Sequence, residues 1–212
     1  MNWSDVPDVW QSCFELAWEA HLEGSNPIAA VVVDRDGTIV STGKSAVKAE
    51  LTGVRSSNCE IAHAEVNALL ALDNRVHVKS KASQYTLYVT LEPCPLCFSA
   101  LYMSDVKTLI YAAPDRFGGS TNLLGTTPYL SRKTRHITGP INGLDSVSIF
   151  LNVYCDLLRG VDTPDVVHAE FAVDYPDVVE KAQTLAAGDA LSIKRESEFA
   201  RVWAAVCDAI DS

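Results

Sequence analysis

The residues best suited to chemistry are His63-Ala64-Glu65 and, further along, Pro93-Cys94-Pro95-Leu96-Cys97. One imidazole and two thiolates make a ligand set suited to zinc. That metal prefers four-coordinate tetrahedral N/S sites, so three protein ligands leave one position for water. Glu65, two residues after His63, offers a carboxylate that can move protons to and from that water. Such chemistry needs both groups on one spot. The run Ile61 to Leu72 reads as a helix, with apolar residues at helical spacing. Residues two apart do not share a helix face, so His63 and Glu65 converge only if His63 sits at the first turn. Pro93 and Pro95 set a second helix start near Cys94, because proline fits a first turn and lacks the donor that an interior position needs. Two helix N-termini would then meet at the metal, and their dipoles favour thiolate ligands.

A second His-Ala-Glu, at His168-Ala169-Glu170, has only Cys207 beyond it and no Cys-x-x-Cys, and it reads as coincidence. Cys13, Cys155 and Cys207 lie in apolar, helix-like sequence and read as small buried hydrophobes. Cys59 reads as a core or loop residue; the alternative is an approach to the metal from four residues before His63.

With 212 residues, 48% hydrophobic and 21% charged, the chain has room for one domain with a substantial core plus an appendage, or for two small domains. Its acidic start lacks the basic stretch and apolar run of a secretory signal. The longest apolar run near the start, Ile28 to Val33, falls far short of the ~20 residues that span a bilayer. The expectation is a cytoplasmic protein without a membrane partner, in which paired cysteines serve a metal rather than a disulfide. Of the net charge of −10, the stretch from Val161 to Ser212 carries −7. An acidic tail repels phosphate backbones, so nucleic acid is disfavoured as a partner. Arg132, Lys133, Arg135 and His136 run the other way and read as a solvated surface loop, with a phosphate contact as the alternative.

The elements that must position these groups follow in order. Val6 to Glu23 reads as an amphipathic helix stopped by Gly24. Ile28–Val33 and Thr38–Thr42 read as strands joined by a hairpin at Asp34–Gly37. A polar stretch from Gly43 to Asn58 leads to the His63 helix. A loop from Asn74 to Gln84 leads to a strand at Tyr85–Thr90. The Cys94/Cys97 helix and a strand at Val106–Ala112 follow. This β-β-α-β-α-β order predicts an α/β three-layer fold, α/β/α, with a central mixed sheet of about five strands. Val147 to Leu158 reads as strand, helix or one after the other. Residues 165–186 and 190–210 read as a helical tail. The expected division is a zinc-dependent domain over 1–150 and an acidic helical C-terminal extension over 151–212 that packs on it.

Asn26-Pro27-Ile28-Ala29-Ala30-Val31, the hairpin, His63-Ala64-Glu65, Leu87 to Cys97 and the Tyr111-to-Gly119 loop together resemble the cytidine/deoxycytidylate deaminase superfamily. The likeness is to its branch of tRNA adenosine deaminases, guanine deaminases and fungal cytosine deaminases, and it covers roughly residues 5 to 140. It implies a homodimer with the active site beside the subunit interface, zinc (Zn2+) held by His63, Cys94 and Cys97, and Glu65 as the proton shuttle. It also implies that the backbone around Ala64 and Glu92-Pro93 meets the substrate. Asn26, Asp115 and Phe117 are further candidates for lining the pocket. Two positions depart from the family pattern. Ala29 stands where a glycine is common, and Ser45 stands where an asparagine commonly holds the base or ribose.

The expected reaction is hydrolytic deamination of a free nucleobase, nucleoside or related amino-heterocycle. Zinc-activated water attacks the amino-bearing ring carbon, and Glu65 carries protons to the ring nitrogen and the departing ammonia. A deaminase acting on tRNA or other nucleic acid is the alternative within the same chemistry. A non-catalytic structural zinc module is the alternative outside it, and would call for Cys59 as a fourth ligand.

Overall fold

The structure, a computed structural model, describes residues 1–49, 57–72, 84–188 and 198–212. The loop expected at 74–84 lies outside these residues except for Gln84, as do the middle of the polar stretch 43–58 and the start of the last expected helix.

The elements are α1 (Asp8–Leu22), β1 (Ala29–Val33), β2 (Ile39–Lys44), α2 (Ala64–Leu70), β3 (Thr86–Leu91), α3 (Pro95–Met103), β4 (Thr108–Ala113), β5 (His136–Thr138), α4 (Leu144–Leu158), α5 (Val166–Asp174), α6 (Pro176–Ala187) and α7 (Phe199–Asp211). The five strands form one mixed sheet in the order β2-β1-β3-β4-β5. β1 is antiparallel to β2 and β3, while β3, β4 and β5 run parallel.

β1 is buried along its whole length because it feeds two cores. Alternate side chains of a strand point to opposite faces. Ala30 and Val32 join Ala64, Ala68, Leu87 and Leu101 on the side of α2 and α3. Val31 and Val33 join Trp10, Phe14, Ile149 and Trp203 on the side of α1, α4 and the last helices. That is the three-layer α/β/α arrangement, with α5 to α7 packed outside α4.

The stretch 147–158, ambiguous as sequence, is helical throughout. In α4 every residue from Val147 to Cys155 is buried, so its apolar continuity reflects a helix covered on all sides rather than a strand. α4 packs on β3, β4, α6 and α7. A division at residue 150 would cut through this helix, and the C-terminal helices share one core with α1 and the sheet. Trp203 sits among Trp3, Phe14 and Phe199, and its indole N–H donates to the Met1 carbonyl at 3.0 Å. The expected basic loop is solvated only in part: Arg132 and His136 are exposed, but the two residues between them that carry charge are folded in. Arg135 is buried, stacks over Tyr102 and donates to its carbonyl, while Lys133 pairs with Asp105.

The seam between β2 and α2 has no room for a side chain. A Cβ on Gly43 would lie 2.3 Å from the Ala64 carbonyl oxygen and 2.3 Å from the Ala68 nitrogen, both backbone atoms. Ser41 Oγ donates to the Ala68 carbonyl at 2.8 Å, and Asn67 Nδ2 to the Lys44 carbonyl at 3.0 Å. These contacts set the height of α2 over the sheet, and with it His63 and Glu65. Gly43→Ala is therefore expected to destabilise the protein by about 1–3 kcal/mol, read as a lower denaturant midpoint. A wild-type midpoint would show that the seam is not tight.

Candidate active site

The strand order brings the candidate residues to one edge of the sheet. The parallel strands β3 and β4 end there, delivering Glu92–Cys94 and Asp115. β1 begins there and β2 ends there, since Ala29 is paired with Lys44, which places Asn26 and Ser45 at the same edge. Ligand sites of open α/β sheets lie at the carboxyl ends of parallel strands for this reason. A cavity of about 120 Å³ opens at this edge, lined by Asn26, Ser45, His63, Ala64, Glu65, Glu92, Cys94 and Asp115, with Ile28, Val47 and Leu91 as apolar wall.

Both helices begin where the proline and motif spacing predict. His63 is the N-cap of α2 and Cys94 the N-cap of α3, and neither makes a capping side-chain bond to its helix. The first N–H groups of a helix have no intrahelical acceptor. The positive ends of two short helices thus face the same point. His63 Nδ1 lies 3.5 Å from Cys94 Sγ and 3.4 Å from Cys97 Sγ. Zinc bonds of about 2.3 Å to sulfur and 2.0–2.1 Å to nitrogen, at tetrahedral angles, imply an N···S edge of about 3.5 Å. The donor set fits zinc. Cys59 is exposed and outside the cluster, so among the described residues three protein ligands converge.

Two causes set the electrostatics of the cluster, the closeness of its sulfurs and burial. The Cys97 thiol bonds to the Cys94 sulfur, and this, with help from His63 and the Cys97 backbone N–H, pushes the Cys94 thiol down to about 4. The same contact and burial push Cys97 up. His63 is raised, first by its bond to Cys94. Glu65 is buried and its carboxyl raised, first by desolvation. A carboxyl raised by burial is suited to general acid–base work.

Several candidates fall in different places from those expected. Phe117 is exposed and outside the cavity lining. The Pro93 carbonyl accepts the Ser120 N–H, and Pro93 does not line the cavity either. The Glu92 carboxylate is committed to the following loop: it accepts the N–H groups of Asp115 and Thr121 and the Thr121 hydroxyl. A Cβ on Gly119 would strike this carboxylate, so the turn closes only with glycine there. Asp115 uses Oδ1 on the N–H groups of Phe117 and Gly118, and burial raises its carboxyl. The Ser45 hydroxyl is 2.9 Å from that of Ser25. The second His-Ala-Glu is no metal site, since His168 is buried beside Asp156 and Glu170 pairs with Arg116 at the surface.

The fold and this cluster match the zinc-binding region of one family of deaminases. Residues 4–113 match the family described as the cytidine and deoxycytidylate deaminase zinc-binding region, and the chain belongs to it. Over 101 residues the chain is 37% identical to a tRNA-specific adenosine deaminase of Haemophilus influenzae, covering 48% of this chain and 54% of that protein. Over 87 residues it is 36% identical to a guanine deaminase of Bacillus subtilis, covering 41% and 50%. It is also 31% identical over 155 residues to part of a tRNA(Ile)-lysidine synthase of Deinococcus deserti, covering 71% of this chain and 27% of that protein. The chain thus spans between about a quarter and about half the length of these relatives. A solved chain from work on A-to-I editing by tRNA:A34 deaminases superposes with a TM-score of 0.51 at 25% identity, covering 62% of this chain and 96% of that one. A guanine deaminase from Nitrosomonas europaea shares the fold, with a TM-score of 0.51 at 23% identity over 70% and 79%. No helix among the described residues is long and apolar enough to cross a membrane.

His63→Ala is expected to lower zinc content from one per chain to well below stoichiometric after dialysis, by metal analysis. Chelation of the wild type should lower its unfolding midpoint, because a ligand at 100 times its Kd contributes about 2.7 kcal/mol. Stoichiometric zinc in the variant would remove His63 from the ligand set.

Proposed function

We propose that the protein is a zinc-dependent hydrolytic deaminase of a free nucleobase, nucleoside or related amino-heterocycle, releasing ammonia. The observation that carries this reading is the buried Glu65 carboxyl beside the three-ligand cluster, at a cavity of about 120 Å³, comparable to the roughly 150 Å³ that accepts one benzene ring. His63, Cys94 and Cys97 would hold zinc, which would make a water available as nucleophile near neutral pH by lowering its pKa to about 7. Glu65 is the proton carrier. Its desolvated carboxyl takes the first proton of the attacking water and passes it to the ring nitrogen. It then takes the second, from the hydroxyl added at the ring carbon, and passes it to the amine, so that ammonia leaves and a ring carbonyl remains. The uncapped N–H groups at the start of α2, around Ala64, offer donors to a substrate oxygen. Asp115, with Oδ1 committed to its own turn, keeps its second oxygen for a substrate N–H.

Three features support placing the protein in the cytoplasm as a homodimer. All six cysteines are free, as a reducing compartment requires. Leu70 on α2 and Leu96 and Met103 on α3 are large apolar side chains left exposed on two neighbouring helices beside the site, and an apolar surface of this kind suits a second copy. The family resemblance implies the same assembly. The division into a 1–150 deaminase domain and an extension over 151–212 we restate as one unit, because α4 spans residue 150.

A tRNA substrate is the second reading, favoured by the relatives named as tRNA-specific adenosine deaminases. The net charge of −10 weighs against it, and its signature would be RNA affinity that falls steeply with salt. The structural-zinc reading finds no fourth ligand among the described residues, where Cys59 lies away from the cluster.

Glu65→Gln should keep the fold and the zinc and lose ammonia release by about 10²–10⁴-fold, measured on zinc-loaded protein across free bases, nucleosides, nucleotides and aminated heterocycles. Near-wild-type release by this variant would remove Glu65 from the reaction.

A further inference from the structure

The wall of the cavity at Asn26 is held from outside by the C-terminal helices. Arg159 caps the C-terminus of α4 and reaches across to the segment before β1. Its Nη1 donates to the Ser25 carbonyl at 2.6 Å, and its Nη2 to Asn26 Oδ1 at 3.2 Å. The same Nη2 pairs with Asp156 one turn earlier. The other Asp156 oxygen lies 3.3 Å from Nε2 of the buried His168 on α5. The His-Ala-Glu that reads as coincidence in sequence therefore forms the far end of a polar chain that leads to the pocket.

This chain determines which way the Asn26 amide points. A guanidinium only donates, so the Asn26 atom that faces Arg159 must be the oxygen. The NH2 end is left with no partner among the described residues, in a side chain that lines the cavity. Besides the N–H groups around Ala64, the donors available in the cavity are few. Glu65, Glu92 and Asp115 are carboxyl groups, the Ser45 hydroxyl is engaged with Ser25, and Nδ1 of His63 faces the sulfurs. Asn26 is thus the one side-chain amide donor among the lining residues.

We propose that Arg159, steadied by Asp156 and His168, is a positioning residue that locks Asn26 as a donor into the pocket. The pocket then selects amino-heterocycles that carry an acceptor, a carbonyl oxygen or an unprotonated ring nitrogen, on the edge facing Asn26. This inference rests on the reading of the cavity as a heterocycle site and adds to it the substrate feature that is read. It also gives α4 and α5 a part in specificity, through contacts more than 130 residues apart in the chain.

The test is equilibrium binding to zinc-loaded Glu65→Gln protein, which removes turnover from the measurement. The probes are two pairs that differ by a ring carbonyl: guanine against 2-aminopurine, and cytosine against 4-aminopyrimidine. The carbonyl-bearing member of at least one pair should bind about tenfold tighter, the worth of one neutral hydrogen bond. Adding Arg159→Met should shrink that ratio to within about twofold, Asn26→Ala should do the same, and the two together should do no more than either alone. A weakened fold would lower both affinities without changing their ratio. Asn26→Asp keeps a partner for Arg159 and replaces the donor with an acceptor, so it should reverse the preference. Binding of both members without preference, or a ratio unchanged by Arg159→Met or Asn26→Asp, would overturn this inference and leave the heterocycle site standing. Failure of all four probes to bind would overturn both.

Discussion

The site depends on two short helices starting at the same point in space. His63 and Cys94 occupy N-cap positions without capping their helices through a side chain, so the first N–H groups of α2 and α3 stay free and their dipoles converge. Thiolates are stable at such a place, and a tetrahedral metal is the natural filling for an imidazole nitrogen 3.5 Å and 3.4 Å from two sulfurs. The N-cap placement also resolves the spacing of the motif. His63 and Glu65 could not share a face inside a helix, but at its first turn the extended backbone of His63 turns its ring toward the Cys residues while Glu65 enters from the helix itself.

Convergence of that kind requires the helices to be held at fixed heights. On one side this comes from bare backbone contact, Gly43 against the Ala64 and Ala68 backbone. On the other it comes from the parallel register of β3 and β4, which brings Glu92 and Asp115 level, and from the Glu92 carboxylate tying the 115–121 loop to the end of β3. Glu92 illustrates how a residue next to a ligand can serve the site through shape alone.

The C-terminal helices are usually thought of as an addition to a finished domain when only the motifs are in view. Here they complete the core. α4 lies directly on the sheet, α7 brings Trp203 against Trp3 and Phe14, and Arg159 closes the wall of the pocket. Among the described residues of 161–212, Asp174, Asp177, Glu180, Asp208 and Asp211 lie exposed on helices, and Asp174 pairs there with Arg116.

The sequence by itself determined which residues could do chemistry and the order of elements. His63, Glu65, Cys94 and Cys97 stand out because few other combinations of residue type and spacing serve a three-ligand zinc site with a proton carrier. The helices and strands follow from local periodicity, which needs only neighbours in the chain. What only the tertiary structure decided involves partners far apart. The run 147–158 is helix because α4 is covered on all sides, a fact that leaves no periodic trace. Phe117 points out to solvent, Pro93 stays behind the cavity wall, and Arg135 lies under Tyr102 instead of in water. The hand that holds Asn26 reaches it from α4. Each of these depends on how packed layers bring distant segments into contact, and no local pattern carries that information.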